Sequence, residues 1–550
     1  MIYGLFFGKG GANMKPKKLF LCLFVLALAS CSKGEEPLSS SGSSFNSTTI
    51  LEEKIEWERE PMVASFQGEE FKLSDYGSVN IRHKGKNATK KVELNQTHYI
   101  NFNQINIQSL EEQTLIAEVE NLPITYSFQL TKKEVNLSSL DVIKNMGVGI
   151  NLGDTFESDI GNYFTNSDPD YALKIYEELG YKDINGEHDE LFCEVRQHYT
   201  PYRGKTTINT INAIYKKGFR SIRIPVAWSN HMKDGVISER WIARVKEVVD
   251  YCFTYNDLYV VLTLMEPPSF SGYWLDDEYK DATLALVTNV WTQVSKRFRG
   301  YDHRLIFENL NEPLSKKHQW NMAAVMERNP DAYKEANENL MLYNQTFVNI
   351  IRNAPGNNNK KRFLTVNTYG NMAYLGYEEN VNNISQFTFP TDTIEDHLIY
   401  NVHIYSPNDF SFGRINAWST SNAQDKAAID GVMDQLKKNY LDKGIGVLVS
   451  EWGAVHAKDD NADREKVREE YYYYFMKKAT ETGLSCMIWD NTAIGNSWKE
   501  GFGFLNRHKA AGIYDDLVVT SGAPYNNETL WFYENVLDQM FKAYNDTKRR

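Results

Sequence analysis

The sequence predicts an α/β protein: a (β/α)8 TIM barrel preceded by a small all-β domain of Ig-like sandwich proportions. Three observations carry this. From about residue 139, short apolar strands alternate with helical stretches, the pattern of βα units. Two of the strands run into glutamates, in Glu308-Asn309-Leu310-Asn311-Glu312-Pro313 and in Val447-Leu448-Val449-Ser450-Glu451-Trp452-Gly453. A parallel barrel gathers its C-terminal strand ends on one rim, so carboxyl groups on different strands meet there. Residues of about 51–138, by contrast, alternate apolar and polar positions in short runs divided by turn signals.

The elements follow in chain order. Met14-Lys15-Pro16-Lys17-Lys18 is basic, and Leu19 to Leu28 is apolar but too short to span a bilayer. With Leu28-Ala29-Ser30-Cys31 after it, this segment (1–31) resembles a bacterial lipoprotein signal, in which Cys31 is acylated and becomes the mature N-terminus. Residues 1–13 read as an upstream extension. The Ser-rich stretch 32–50 is a flexible tether. Within 51–138, runs such as Val79-Asn80-Ile81 and Ile124-Thr125-Tyr126-Ser127-Phe128 predict about seven short strands, read as a spacer in preference to a carbohydrate-binding module.

The barrel is assigned residues 139–545, with strands at 148–151, 221–224, 259–263, 305–308, 363–367, 398–403, 447–450 and 485–489. Between the third and fourth, Leu284, Val287, Trp291, Val294 and Phe298 share one helical face, and Gly300 ends the helix predicted over 283–299. Residues 160–204 form a long insertion after the first strand, on the rim that carries the glutamates.

Composition narrows the function. The chain has 550 residues, a formal charge of -12 and 13% aromatics. An acidic balance without a basic tract argues against nucleic acid and against anionic lipid as partners, and suits a neutral polysaccharide. The membrane contact expected is through the lipid anchor alone, and a monomer is expected. Cys193, Cys252 and Cys486 are scattered and imply no disulfide framework, and no cluster has metal-ligand spacing. No cofactor is expected.

Two rim carboxyls are the equipment of glycosidic bond cleavage, one to protonate the leaving oxygen and one to attack the sugar carbon. Over about 145–507 the strand ends resemble glycoside hydrolase family 5, the cellulase family of retaining β-glycanases, and look closest to its bacterial endoglucanases and xyloglucanases. The resemblance rests on Gly149-Ile150-Asn151-Leu152-Gly153, Arg223 in Ser221-Ile222-Arg223-Ile224-Pro225, Asn311-Glu312-Pro313, His403-Ile404-Tyr405, Ser450-Glu451-Trp452-Gly453 and Trp489-Asp490-Asn491, taken in order.

The resemblance implies that Glu312 is the acid/base and Glu451 the nucleophile, and that Arg223, Asn311, His403, Tyr405, Trp489 and Asn151 bind substrate or hold the carboxylates. Arg223 and Tyr405 suit the holding of an ionised Glu451. His403 suits a bond to Glu312, Asn311 a bond to the sugar 2-hydroxyl, and Trp489 a flat face for a pyranose. Tyr202, in the long insertion, is a further sugar-stacking candidate. Two residues depart from the family. Met265 or Glu266 stands where the third strand usually ends on histidine, and Asp154 stands where the subfamily tends to have Asn. The sequence therefore predicts cleavage of internal β-1,4-glucosidic bonds with retention. Xyloglucan and β-mannan are alternative substrates, and a non-catalytic polysaccharide-binding lipoprotein is the alternative of another class.

Overall fold

The computed structural model describes residues 53–549 apart from 64–69, 85–87, 110, 129, 131–135, 159–190, 192–193, 195–204, 267–272, 323–327, 374–386, 457–461, 494–500 and 513–528. Cys31 and Tyr202 lie outside the described residues, as does the insertion 160–204 except for Leu191 and Glu194.

Eight strands close into a parallel barrel: β1 (Val148–Asn151), β2 (Ser221–Val226), β3 (Tyr259–Leu264), β4 (Leu305–Glu308), β5 (Leu364–Met372), β6 (Leu398–Ile404), β7 (Gly446–Trp452) and β8 (Ser485–Ile488). They pair in sequence order, β8 closing on β1. The barrel and its eight strands stand as the sequence predicts, and β5 and β7 run further than expected. The strands are almost wholly buried because helices cover one face and the barrel interior the other, which is why they read as continuous apolar runs.

Helices α1 (Ser139–Met146), α2 (Ile208–Lys217), α3 (Glu239–Phe253), α4 (Lys280–Arg297), α5 (Pro330–Asn353), α6 (Ala423–Asn439), α7 (Ala462–Thr482) and α8 (Glu534–Lys548) accompany the strands. The predicted 283–299 helix is α4. Its Val287, Trp291 and Val294 are fully buried, with Phe298 at its C-cap. The short α1 is different in kind. Ser138 caps it in a reciprocal bond with Asp141, and it sends Val142, Ile143 and Met146 against Tyr259, Val261, Ile306 and Leu448. Those partners lie low in the barrel strands, so α1 closes the end of the barrel opposite the rim.

Before the barrel, described strands at Lys54–Arg59, Ser78–Arg82 and Thr89–Glu93 form an antiparallel sheet, and Gln113–Val119 pairs with Leu122–Phe128. Val79, Ile81, Leu115 and Ala117 are the centre of a separate small core. It meets the barrel through the Arg299–Glu60 ion pair at 2.7 Å and a hydrogen bond from Asn357 Nδ2 to the Val63 carbonyl at 2.7 Å. Cys252 and Cys486 are buried and free. No described helix is long and apolar enough to cross a membrane.

Candidate active site

The rim site is built on one buried cation. Arg223, at the centre of β2, is fully buried, and an unpaired charge there would cost several kcal/mol, of order 3–5 when a partner is removed. The barrel compensates it from three strands. Glu308, the last residue of β4, takes a two-pronged pair, with Nε–Oε2 at 2.8 Å and Nη2–Oε1 at 2.7 Å. Glu451 on β7 accepts from Nη1 at 2.7 Å, and the Asn151 and Asn311 amide oxygens accept at 3.1 and 2.7 Å. Burial opposes the Arg223 charge, but these carboxylates outweigh it and keep the guanidinium permanently protonated.

Glu451 is held at both oxygens. Arg223 occupies Oε1, and the Tyr405 hydroxyl donates to Oε2 at 2.9 Å. Burial and the Glu451 charge push the Tyr405 hydroxyl well up, so it stays a donor. Glu312 follows β4 with a left-handed φ of 45°, and its Oε1 lies 2.8 Å from His403 Nδ1. Burial raises the Glu312 pKa, whereas the His403 bond and the His403 and Arg223 charges lower it. One oxygen of each carboxylate and a His403 nitrogen all lie within 4.8 Å of one another. Such a trio also has the spacing of metal ligands. Its geometry fits equally well two carboxyls facing one sugar carbon, since inverting pairs sit about 6.5–9.5 Å apart to admit a water.

The described residues among those singled out from the sequence each have a definite place. Glu312, Glu451, Asn311, His403 and Tyr405 converge. Arg223 and Asn151 lie beneath them, both fully buried. Asn151 spends its amide nitrogen on the Ser450 and Ile488 carbonyls, at 2.9 and 3.0 Å, and so fastens β1 to β7 and β8. Arg223 thus holds the carboxylates and Asn151 supports Arg223 from below. Trp489 is only 5% exposed and packs with Met265, Val455 and Phe502. That covers much of the flat face expected to meet a pyranose.

The third-strand departure resolves into two roles. Met265 joins the apolar cluster of Trp489, and Glu266 turns away to accept from the Trp228 and Ser229 backbone N–H groups, both at 2.9 Å. Sequence reasoning gave no role to Glu308 or to Tyr273. A charge on an inward-facing strand position was the available signal for Glu308. Tyr273 shares hydrogen bonds with the Asn311 backbone on both sides, and nothing in its sequence neighbourhood marks it.

A family model of cellulase, glycosyl hydrolase family 5, matches residues 184–495. The chain belongs to glycosyl hydrolase family 5. Endoglucanase A of Ruminococcus albus is 33% identical over 318 residues, 56% of this chain and 80% of that one. Endoglucanase A of Clostridium longisporum is 30% identical over 387 residues, but the chain spans only 64% of its length. Among solved structures, a family 5 lichenase from Caldicellulosiruptor sp. F32 aligns with a TM-score of 0.59 at 29% identity, over 75% of this chain and 97% of that one. A broad specificity endoglucanase from Ruminococcus champanellensis, solved with bound cellotriose, aligns with a TM-score of 0.55 at 27% identity, over 74% of this chain and 99% of that one. This family 5 chain is a glycoside hydrolase.

Proposed function

We propose that this family 5 enzyme cleaves internal β-1,4-glucosidic bonds of a β-glucan with retention, Glu451 attacking and Glu312 transferring the proton. The observation that carries the reading is the carboxylate pair within 4.8 Å, one member gripped by Arg223 and Tyr405 and the other by His403. The relatives named endoglucanase and lichenase support the substrate class.

Arg223 and the Tyr405 hydroxyl hold Glu451 as the attacking carboxylate, and Glu312, bonded to His403, is the group that passes a proton to the leaving oxygen. Glu451 attacks the anomeric carbon while Glu312 gives its proton to the leaving oxygen. The covalent ester discharges Glu451. Glu312, left as a carboxylate by the first step, draws a proton from the incoming water, whose oxygen displaces Glu451 from the anomeric carbon and restores the configuration. The Asn311 side chain, oriented through Arg223, offers its amide nitrogen to the sugar 2-hydroxyl.

Xyloglucan and β-mannan use the same chemistry and remain alternatives for the chain bound. The non-catalytic reading drew its support from the third strand. Met265 and Glu266 have structural partners there, and the machinery beside them is intact. Incubation with cellulosic, mixed-linkage, xyloglucan and mannan polymers, with NMR of the newly formed anomer, tests the reading. Release of β-configured ends from the glucans is expected. No release from any polymer would overturn it, and α-configured first products would overturn retention.

The same reading makes Cys31 a lipidation site, places the enzyme at a bacterial cell surface or outer membrane, and takes it to act as a monomer. The strands before residue 130 would form an Ig-like sandwich that holds the barrel off the membrane. Tyr202 would line the cleft and stack on the polymer.

A further inference from the structure

We propose that Asn371 is a positioning residue that fixes the tautomer of His403 and thereby decides which oxygen of Glu312 carries the catalytic proton. The inference rests on the reading of Glu312 as the acid.

The argument begins at a backbone group that has only one option. The Leu310 N–H donates to the Asn367 side chain at 3.0 Å, so the atom facing it must be the amide oxygen. Asn367 therefore turns its nitrogen toward the Leu310 carbonyl and, at 3.1 Å, toward the Asn371 side chain. That contact requires an oxygen on Asn371, which leaves the Asn371 nitrogen facing His403 Nε2 at 3.1 Å. An amide nitrogen only donates, so Nε2 carries the lone pair. Amide orientations are usually assigned by choice, but here a backbone donor propagates one through three side chains.

A neutral imidazole with a bare Nε2 has its proton on Nδ1. Nδ1 lies 2.8 Å from Glu312 Oε1 and 3.5 Å from Glu451 Oε2. His403 thus donates to Oε1, and the acid's own proton is left to Oε2. The opposite tautomer would set a bare Nδ1 against Oε1 and draw that proton inward, away from the leaving group. Among the described residues, the charged and titratable groups bonded to or paired with His403 face its Nδ1: Glu312 after β4, and Glu451 on β7 with the Tyr405 hydroxyl and Arg223 behind it. Among the described residues, Asn371 is the side chain bonded to Nε2.

The backbone is shaped to deliver this contact. The pairing of β5 with β6 slips between Asn367 and Met372, a bulge of the kind that re-aims side chains beside active sites. Gly370 and Asn371 have φ of 58° and 50°, in the left-handed region. The Gly370 N–H donates to the carbonyl of Pro313, the residue after Glu312, at 2.7 Å. One bulge therefore braces the acid's own loop and aims the amide at its histidine. Asn371 is fully buried and Asn tolerates this conformation, as Asp does.

Asn371→Asp keeps the shape and replaces the donor by a charged acceptor, so Nε2 must gain a proton and the ring becomes a cation beside Glu312. An adjacent cation favours the carboxylate, so the alkaline limb of kcat/KM on polymer should move down by about one to three pH units. On an aryl glycoside whose leaving group needs no proton, kcat/KM should stay within about threefold. Histidine 15N NMR of the wild-type enzyme, with the signal assigned by His403→Gln, should show a protonated Nδ1 and a pyridine-type Nε2. This readout needs no variant at position 371 to fold. A wild-type proton on Nε2, or an alkaline limb that Asn371→Asp leaves in place, overturns the proposal. Undiminished polymer cleavage by Glu312→Gln would instead sink the assignment of the acid and leave the tautomer result standing.

Discussion

At the scale of single residues, the two carboxylates are separable by leaving group. Proton donation contributes roughly 10²–10⁴-fold when the leaving group is poor and little when it is good. Glu312→Ala should therefore lose about that factor on polymer and far less on an activated aryl glycoside, whereas Glu451→Ala should lose both. Equal losses from the two variants on both substrates would refute the division of roles. Glu308 makes a second case. Replacing it by Gln leaves Arg223 with one buried counter-charge in place of two, and breaking a buried pair costs about 3–5 kcal/mol. Urea unfolding of Glu308→Gln should show a loss of that order, and a loss under about 1 kcal/mol would mean that Glu451 alone suffices. The Asp154 departure has a consequence of its own. Burial and the Asp154 charge push the Glu157 carboxyl up to about 8 from its ordinary 4.5. The folded state then holds a proton that the unfolded state has lost, so stability falls as pH rises from about 4.5 to about 8. Asp154→Asn should flatten that fall, and thermal melts at pH 5 and pH 8 would reveal it. A variant whose two melts differ as much as the wild type's would remove Asp154 as the cause.

At the scale of elements, the legible and the illegible divide by physical cause. β3, β4 and β7 could be read because burial on both faces leaves no choice but apolar side chains, and α4 because its apolar face repeats at helical spacing. Glu312 and Glu451 were legible because a strand end followed by a turn fixes where their side chains go. The β5 bulge was not. Thr368 to Met372 reads as ordinary loop, and its meaning lies in contacts with β6 and with Pro313 that no local pattern encodes. The same holds for the partners of Asn151 and Trp489, which come from distant strands that no local pattern encodes. The function of α1 was equally invisible, since eight residues give about two amphipathic turns and name no partner. Its packing yields an expectation. Met146 is fully buried against the bottom of the barrel, so Met146→Ala should cost about 2–5 kcal/mol in chemical denaturation, unlike an exposed helical position. A loss below about 1 kcal/mol would show that the barrel floor closes without α1.

At the scale of the whole molecule, two cores are connected by few contacts. The small core around Val79 and Leu115 and the barrel core share no residues, and the described links between them are polar, such as Arg299 with Glu60 and with the Tyr126 hydroxyl. Polar links of this kind hold little of the barrel's stability, because partly exposed ion pairs contribute about 0–1 kcal/mol each. The α1 plug, by contrast, is tied in by the Ser139 N–H to the Asp396 carbonyl at 2.7 Å and by the Gly446 N–H to Ser139 Oγ at 2.9 Å. The functional boundary therefore falls between residue 130 and Ser138, ahead of the cap and not after the helix. A chain beginning at residue 136 should fold and cleave soluble glucan with kcat/KM within about twofold of the full chain, since none of the links among the described residues reaches the rim. One beginning at residue 147 should lose the floor and most of its stability. Comparison of the two by thermal melt and by glucan hydrolysis checks both statements. If the spacer reading is right, the shorter chain's deficit should appear only on cells: Cys31→Ser should release the full enzyme from membranes without changing its rate on soluble polymer. A chain starting at 136 with a tenfold lower rate on soluble glucan would show instead that the N-terminal strands take part in binding the substrate.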